Sequence, residues 1–469
     1  MATVIRDLLA QAGDCAALND EHGVIVRDEP ALRANGIDVL IHKAVFGTSE
    51  EQGAARWLIW EIGQTLGARP ASIHELYTAR GQGALPHTFT TPAMNIRIMS
   101  YDSMRAAIAA AMKGNVGAFI FEISRSEMSY TGQRPAEFTI VAIAAAIKEG
   151  FRGPLFIQGD HFQINPKKYV SGADAEVQGL QALIDEALAG GFYNIDIDPS
   201  TLVDLSKPTL DEQQRLNYEL CALFADYVRS RQPVGVTVSL GGEIGEVGHK
   251  NSDVSELRAF MQGFNKHAKH APGLSKISIQ TGTSHGGIVL PDGSIADVTI
   301  DFDCLRDLSV AAREFGMGGA VQHGASTLPE GAFGKFAQAG AIEVHLATAL
   351  QQIAFAGLPK ALNDEMTQWL FKNATIDRVP GHTDEQFLHK VRMRATGTFK
   401  HALWTMSESD RLHVRIALEE RFAMLFNRLG VNNTRGYVEQ VVSMPEIHKR
   451  PEDFGARPVM QEDVSAFAD

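Results

Sequence analysis

The chain has 469 residues, enough for one large domain with additions or for about two to three ordinary domains. Its 45% hydrophobic and 21% charged residues are typical of a soluble globular protein, and no apolar run approaches the roughly 18 residues that a membrane span needs. A formal net charge of -13 argues against nonspecific binding to nucleic acid or to an anionic membrane.

The N-terminus and the cysteines bear on the compartment. The first residues, MATVIRDLLAQAGDC, lack the continuous apolar core of a secretory signal. Cys15, Cys221 and Cys304 are widely separated and show no CxxC spacing, which argues against a disulfide framework. We therefore expect a cytoplasmic protein, with neither nucleic acid nor a membrane as a partner.

Residues 1–90 contain helical patterns such as ARWLIWEIGQTLG and end in the turn-rich stretch RGQGALPHTFTTP. This composition predicts an N-terminal extension that is mostly helical.

From about residue 92 the chain alternates short β-branched runs with amphipathic helical patterns. The runs predict strands at 92–98, 117–123, 153–159, 192–197, 234–240, 275–281, 319–323 and 341–346. Strands that alternate with helices form parallel βαβ units, and eight such units predict a (β/α)8 TIM barrel over residues 91–352. A doubly wound parallel sheet is the alternative fold.

Residues 353–469 show mostly helical patterns and predict a helical C-terminal extension. In SESDRLHVRIALEERFAMLFNRLG, Ser407 and Asp410 have the spacing of a capping box and Gly430 is a typical helix stop.

Polar residues follow the predicted strands at the end where barrel enzymes build active sites. They are Asp160 and His161 after the third strand, Asp196 and Asp198 after the fourth, Glu243 after the fifth, His285 after the sixth and His323 after the seventh. Each has an ordinary interpretation, since a lone histidine is usually a core or surface residue and Asp160 could cap a helix. Their shared placement favours one metal site with imidazole and carboxylate ligands.

Glycine-rich loops follow the sixth and seventh strands. The sequences HGG and HGAST leave backbone N–H groups open to an anion, and Ser326, Thr327 and Thr348 add hydroxyl groups. Loops after strands seven and eight commonly bind phosphate in barrels. Tight turns into helices are the alternative interpretation.

The motifs GDHFQI, GGEIGEVG, GTSHGG, HGAST and HLATAL, in this order and spacing, resemble the class II, metal-dependent fructose-bisphosphate and tagatose-bisphosphate aldolases. The resemblance covers about residues 92–352. A smaller stretch, MSYTGQRPAEF with GGFYNIDIDPS, is similar to the accessory subunit of tagatose-bisphosphate aldolase, which is not itself thought to catalyse.

This resemblance implies a metal-assisted reversible retro-aldol cleavage of a ketose phosphate or related keto sugar, with Zn²⁺ as the expected ion. The implied metal ligands are His161, Glu243, His285 and His323, with Asp196 as a further acid that helps hold the metal. Asp160 would be the catalytic acid/base for the C4 hydroxyl. The residues implied to line the substrate and its phosphate are Ser124, Gly286, Gly324, Ser326, His345 and Thr348. The resembling enzymes form dimers or larger assemblies, which implies a homo-oligomer.

The chain departs from the family at three positions. Asn251 stands where the family has a Glu that moves a proton on the enediolate carbon, and Asp253, Glu256 or Glu246 are the candidates to replace it. His345 and Glu343 stand in place of an Asn and a Lys, which leaves a bisphosphate substrate open.

Three functions therefore remain in view. The first is an aldolase. The second is a ketose C4-epimerase that recombines the fragments with the aldehyde turned over. The third is a non-catalytic subunit that uses the barrel as a scaffold.

Overall fold

The structure is a computed structural model, and it describes residues 1–19, 23–244, 251–282, 290–291 and 300–455. The N-terminal segment contains both helices and short strands. Its helices are α1 (Ala2–Gln11), α2 (Glu29–Ala31), α3 (Ile37–Phe46), α4 (Ser49–Leu66) and α5 (His74–Gly81). Its strands are β1 (Ala16–Asn19) and β2 (Gly23–Val26), which pair antiparallel, and β3 (Ala68–Ala71).

A closed parallel barrel follows. Its strands are β4 (Thr91–Asn95), β5 (Ile120–Ser124), β6 (Gly153–Gln163), β7 (Asn194–Asp198), β8 (Ser239–Glu243), β9 (Lys276–Ile279), β10 (Ala320–Gln322) and β11 (Glu343–Leu346). Each strand pairs in parallel with the next along the chain, and β11 pairs with β4. The predicted (β/α)8 barrel is confirmed, and closure rules out the doubly wound sheet, which keeps two open edges.

Strand β3 joins the barrel sheet from outside the ring. It pairs in parallel with the first half of β6, from Gly153 to Phe156, and β7 pairs with the second half. The N-terminal segment is thus continuous with the barrel sheet through β3. The division of the chain at residues 90 and 352 stays a prediction.

Helices pack around the strands. Those that follow barrel strands are α6 (Ser100–Lys113), α7 (Arg125–Thr131), α8 (Pro135–Glu149), α9 (Pro166–Gly190), α10 (Leu210–Arg231), α11 (Val254–His267), α12 (Phe302–Glu314), α13 (Glu330–Gln338) and α14 (Thr348–Ala356). The later helices are α15 (Lys360–Asn373), α16 (Asp384–Val391), α17 (Ala395–Thr398), α18 (Lys400–Trp404), α19 (Glu408–Arg428) and α20 (Arg435–Val441). No helix within the described ranges is both long and apolar enough to cross a lipid bilayer.

Helix α19 completes the wall of the barrel. It packs against α6, α13 and α14, and its apolar stripe is buried at Val414, Leu418, Phe422, Leu425 and Phe426. The Ser407 hydroxyl caps its start by accepting from the Asp410 backbone N–H, and Gly430 follows its end with a φ of 73°. A helix distant in sequence therefore lies between the last and the first helices of the ring.

The segment between α14 and α19 crosses the end of the barrel at which the strands terminate. Helix α17 packs on α7, which directly follows β5, and Lys400 Nζ donates to the Gly132 carbonyl at 2.8 Å. The Thr383 hydroxyl donates to the Pro291 carbonyl at 2.9 Å, close to the loop that follows β9. These helices place the C-terminal segment over the barrel mouth.

The last described residues wrap over α4. The indole N–H groups of Trp57 and Trp60 donate to the carbonyls of Lys449 and Ile447, at 2.8 and 2.6 Å. The Lys449 ammonium lies 3.6 Å from the centre of the Trp60 ring, within cation–π distance. The two terminal segments therefore pack against each other as well as against the barrel.

Candidate active site

A bulge in β6 turns two consecutive side chains into the barrel. In a regular strand Asp160 and His161 would point to opposite faces. Here the pairing of β6 with β7 shifts register between Gly159 and Phe162, and His161 has a left-handed φ of 41°. Such a φ is uncommon outside glycine and clusters at functional sites. Because of the bulge, Asp160 and His161 can both face the barrel mouth.

Three of the predicted metal ligands come together there. His161 Nδ1 lies 3.4 Å from Glu243 Oε2, and the centroids of the His161 and His323 rings are 4.6 Å apart. Glu243 ends β8 and His323 directly follows β10, so parallel strands deliver all three side chains to one end of the barrel. The fourth predicted ligand, His285, and its neighbour Gly286 lie outside the described residues.

Asp198 orients His161. Its Oδ2 lies 3.0 Å from His161 Nδ1 and accepts from the Gln163 side chain at 2.8 Å, while its Oδ1 accepts from the Ser200 N–H at 3.0 Å. Burial alone would raise the pKa of Asp198, but the hydrogen bond with His161 and the charge of that ring lower it. A carboxylate in this position commonly fixes the ring of a metal-binding histidine.

Asp196, the further acid predicted to hold the metal, lies against an ammonium group. Lys276 Nζ is 2.9 Å from Asp196 Oδ1 and 3.0 Å from Asp196 Oδ2, and both residues are buried. Burial raises the pKa of Asp196 to about 6, although Lys276 opposes this. Its carboxylate therefore has a partner within the protein, beneath the three grouped ligands.

His345, predicted to line the substrate, lies among buried carboxylates. Its Nδ1 is 3.1 Å from Glu122 Oε2 and 3.2 Å from Asp160 Oδ1, and its Nε2 is 2.7 Å from Glu343 Oε1. Burial would lower the pKa of His345, but Glu122 and Asp160 raise it well above its usual value. Both ring nitrogens therefore lie within ion-pair distance of buried carboxylates, and Nε2 is hydrogen-bonded with Glu343.

Glu343 lies in the same buried layer, away from the loops that follow β10 and β11. Its Oε1 is 2.6 Å from Lys276 Nζ, and neither side chain is exposed. Burial would raise the pKa of Glu343, but Lys276 and His345 lower it to about 2. The negative charge at this position is thus neutralised by the ammonium group on β9.

The loops expected to bind phosphate meet at the mouth. Ser326 Oγ accepts from the Ala349 N–H at 3.4 Å, which joins the loop after β10 to the start of α14, where Thr348 lies. Gly324 has a φ of 67°, which glycine adopts without strain. Arg421 of α19 donates to the Ser326 carbonyl at 3.2 Å and so ties this loop to the barrel wall.

Ser124, also predicted to line the substrate, caps a helix. Its hydroxyl accepts from the Glu127 N–H at 3.4 Å and lies 3.1 Å from Ser126 Oγ. The side chain is buried at the start of α7, directly beyond the end of β5.

The donor set fits a divalent cation. The buried carboxylates of this interior are Glu122, Asp160, Asp196, Asp198, Glu243 and Glu343. Among the described residues, the Lys276 ammonium group contacts two of these carboxylates, Asp196 and Glu343, so formal negative charge is in excess. Asp160 Oδ1 is buried and makes no hydrogen bond within the described ranges, and burial raises the pKa of Glu243 to about 8. Candidate ligand atoms of Asp160, His161 and His323 lie within 4.8 Å of one another, a set that suits Zn²⁺ or a related ion.

A protein-family model described as class II fructose-bisphosphate aldolase matches residues 81–410. The chain belongs to this family. None of the curated proteins matches the chain.

This member of the class II aldolase family shares its fold with solved structures. A fructuronate-tagaturonate epimerase from Cohnella laeviribosi aligns with a TM-score of 0.51 and 13% identity over 90% of this chain and 90% of its own. A probable tagatose 6 phosphate kinase from Sinorhizobium meliloti aligns with a TM-score of 0.51 and 17% identity over 78% of this chain and 96% of its own. At these identities the likeness shows the fold alone.

In class II aldolases the loop that corresponds to the one after β8 carries a Glu that moves a proton. The described residues of this loop, from Asn251 onward, place no carboxylate free for that role. Asn251 Nδ2 donates to Asp301 Oδ2 at 3.0 Å at the surface. Asp253 caps α11 by accepting from the Ser255 and Glu256 N–H groups, and the Glu256 carboxylate accepts from the Asp253 N–H at 2.9 Å. Two of the three candidate replacements are therefore helix caps, and the third, Glu246, lies outside the described residues.

Sequence reasoning placed Asp198 at the active-site end of the barrel without a specific role, and it did not single out Glu122, Gln158 or Lys276, although all four shape this site. A pattern was available, because polar residues recur at alternate positions of otherwise apolar strands, as Glu122 and Ser124 do in IFEIS. The inner face of a barrel is usually filled by branched apolar side chains. An alternating polar row therefore marks a charged interior.

Proposed function

We propose that this protein is a metal-dependent aldolase that cleaves a ketose phosphate or related keto sugar between C3 and C4. The products would be a dihydroxyacetone-type fragment and an aldehyde. The proposal rests on the grouping of Asp160, His161 and His323 at the barrel mouth. Burying ionisable groups is costly, and a scaffold without chemistry would gain nothing from it.

His161, Glu243, His323 and His285 would hold the cation, for which Zn²⁺ is the proposed identity. When bound, it supplies Lewis-acid chemistry that draws electron density from the ketose carbonyl and the adjacent hydroxyl. Asp198 keeps the His161 ring turned toward this position through their 3.0 Å contact.

Asp160 would take the proton from the C4 hydroxyl during cleavage and return it during condensation. Burial alone would raise the pKa of Asp160, but His161, His345 and His323 lower it well below its usual range. The ionised carboxylate is the form that accepts a proton. The loops around Ser326 and Thr348 would bind the phosphate or another polar end of the sugar.

A second candidate is C4 epimerisation, which uses the same retro-aldol step but keeps both fragments in the site. The capping roles of Asp253 and Glu256 favour it, because an epimerase never needs to protonate the enediolate carbon. The structural neighbour named fructuronate-tagaturonate epimerase makes keto-uronic acids the substrates to include for this reaction.

One experiment separates the two reactions. The full chain, loaded with Zn²⁺, is incubated with a panel of ketose phosphates, ketose bisphosphates and keto-uronic acids. Coupled detection of free triose reports the aldolase, and NMR of the sugar reports a C4 epimer. Triose release supports the aldolase, whereas an epimer without free triose supports the epimerase. A metal-loaded enzyme that converts none of these sugars would overturn both.

The matched control is Asp160→Asn, which preserves the shape of the side chain. We expect kcat to fall about 10²- to 10⁴-fold, because general acid–base catalysis contributes on that order. Metal content should stay at the wild-type level. An unchanged kcat would show that Asp160 does not transfer the proton.

A further inference from the structure

We infer that His345 is a positioning residue that holds the Asp160 carboxylate in place, and that Glu343 and Lys276 in turn hold His345. This inference rests on the proposed function of Asp160 as the proton-transfer group. It gives His345 a role distinct from substrate binding.

Carboxylates lie close to both nitrogens of His345. Nδ1 is 3.2 Å from Asp160 Oδ1 and 3.1 Å from Glu122 Oε2, within ion-pair distance but without a hydrogen bond among the described residues. Nε2 is hydrogen-bonded with Glu343 Oε1 at 2.7 Å. Close partners on both sides restrict the ring. The ring also packs against His323, with centroids 4.1 Å apart. The imidazole therefore has little freedom to rotate.

Further contacts anchor the buried layer that contains Glu122 and Glu343. Lys276 Nζ donates to Glu343 Oε1 at 2.6 Å and to Gln158 Oε1 at 2.7 Å. Gln158 Nε2 donates to Glu343 Oε1 at 2.9 Å and to Glu122 Oε2 at 3.0 Å, which ties together the two glutamates on either side of His345. A completely buried and mutually bonded layer is a rigid support for the group above it.

These groups also have the donor types of a metal site, but the ammonium group argues against one here. Candidate ligand atoms of Glu122, Glu343 and His345 lie within 4.8 Å of one another. Lys276 Nζ already supplies a positive charge to Glu343 and to Asp196, at 2.6 and 2.9 Å. A second cation at this depth would be repelled by it. Lys276 therefore already serves as the cation of this layer.

Asp160 depends on this support. Asp160 Oδ1 makes no hydrogen bond within the described ranges. It lies 3.2 Å from His345 Nδ1 and 3.9 Å from His161 Nε2, so His345 is the nearer of these two rings. Misplacing a proton-transfer group by about 1 Å can reduce a rate by 10²-fold. Loss of the imidazole should therefore reduce the rate through Asp160.

Three substitutions of His345 test this, since amide donors reproduce its two nitrogens separately. In His345→Asn the amide nitrogen replaces Nδ1 and keeps an N–H group next to the Asp160 carboxylate. In His345→Gln the amide nitrogen replaces Nε2 and keeps the donor toward Glu343. His345→Ala keeps neither nitrogen. We expect kcat to fall about 10- to 100-fold in the Gln and Ala variants, with KM changed less than about threefold, and to be largely restored in the Asn variant.

A double-mutant comparison identifies the route of the effect. In an Asp160→Asn background, His345→Ala should cause less than about threefold further loss of kcat, because the group it positions is already gone. Losses that multiply, or a His345→Gln variant as active as His345→Asn, would overturn the inference. A rise in KM with kcat unchanged would also overturn it, because it would indicate substrate contact. His74→Asn removes another buried histidine, on α5 outside this network, and should leave kcat unchanged.

A readout without turnover separates this inference from the proposed function. In a crystal structure of the Zn²⁺-loaded His345→Ala or His345→Gln variant, the Asp160 carboxylate should rotate while His161 and His323 stay in place. An unmoved Asp160 would overturn the positioning role even in an active enzyme. If the wild type converts no sugar, the proposed function fails, but a rotated Asp160 still supports the positioning role.

Discussion

Gly159 makes the bulge in β6 possible. A Cβ atom at this position would lie 2.3 Å from Cε1 of Phe162, so the buried phenyl ring folds directly over the glycine. This overlap allows the chain to turn at His161 with a φ of 41° and to rejoin the sheet at Phe162. The orientation of Asp160 and His161 therefore depends on the absence of a side chain next to them.

We predict that Gly159→Ala destabilises the protein by about 1–3 kcal/mol, the usual cost of overpacking a core. Displacement of Phe162 should also shift His161, so Zn²⁺ affinity should fall. Urea unfolding gives the first quantity and a chelator competition titration gives the second.

Gly436→Ala is the matched control, because a Cβ there meets nothing within 4 Å. It should stabilise the protein by at most about 1 kcal/mol, because Gly436 lies in α20 and alanine is the better helix former, and it should leave the Zn²⁺ affinity unchanged. A Gly159→Ala protein as stable as this control would mean that the bulge tolerates a side chain.

The sequence predicts Asp160, His161, Glu243 and His323 as site residues because each ends or follows a strand, and parallel strands end at one face. It does not predict what holds them. The apolar pattern places the end of the third strand at residue 159, whereas the bulge extends β6 to Gln163. The contacts of Asp198 and His345 depend on that bulge and on strand register, which one-dimensional periodicity does not contain.

At the scale of elements, α19 belongs to the barrel wall although it lies far along the chain. Its buried face packs against α6, and the rings of Phe422 and Phe426 stack with centroids 6.3 Å apart. Phe426 also lies 6.1 Å from the ring of Phe119, just before β5. The barrel core therefore continues into this helix.

We predict that Phe422→Ala lowers the free energy of unfolding of the whole chain by about 3–5 kcal/mol, as for other buried phenylalanines. The loss should appear in a single cooperative transition, since α19 and the barrel share one core. Calorimetry combined with circular dichroism measures both features.

Ile416→Ala, on the same helix with its side chain 49% exposed, serves as the comparison and should cost less than about 1 kcal/mol. A separate early transition for Phe422→Ala, with the barrel transition unmoved, would show that α19 is an independent unit.

The existence of α19 follows from its sequence, but its position does not. Ser407, Asp410 and Gly430 mark its ends, and the apolar spacing defines which face is buried. An amphipathic pattern does not specify the surface that its apolar face meets. A long connection over the barrel mouth separates α19 in sequence from α14 and α13. Local sequence patterns therefore do not indicate that these helices pack together.

At the scale of the whole molecule, the excess of buried carboxylates would make stability depend on a bound cation. Repulsion among these groups opposes folding, and a divalent ion bound to the folded state would offset it. These buried carboxylates all lie in the barrel interior.

We predict that removing the ion with a chelator lowers the melting temperature and that Zn²⁺ restores it. A bound ion at 100 times its Kd contributes about 2.7 kcal/mol. Differential scanning fluorimetry across a Zn²⁺ titration measures this, with metal analysis of the same samples. His323→Ala should respond less at each concentration, and a chelator-insensitive wild type would contradict a metal site at the mouth.

The position of α19 also determines when the barrel wall can be completed during synthesis of the chain. All barrel strands have been made once the ribosome passes Leu346, but the place that α19 fills beside α6, α13 and α14 stays empty until Arg428 has been added. The nascent barrel must therefore wait, with the apolar sides of its first and last helices exposed to water. A stop codon placed anywhere in this interval would leave the barrel without the buried face of α19.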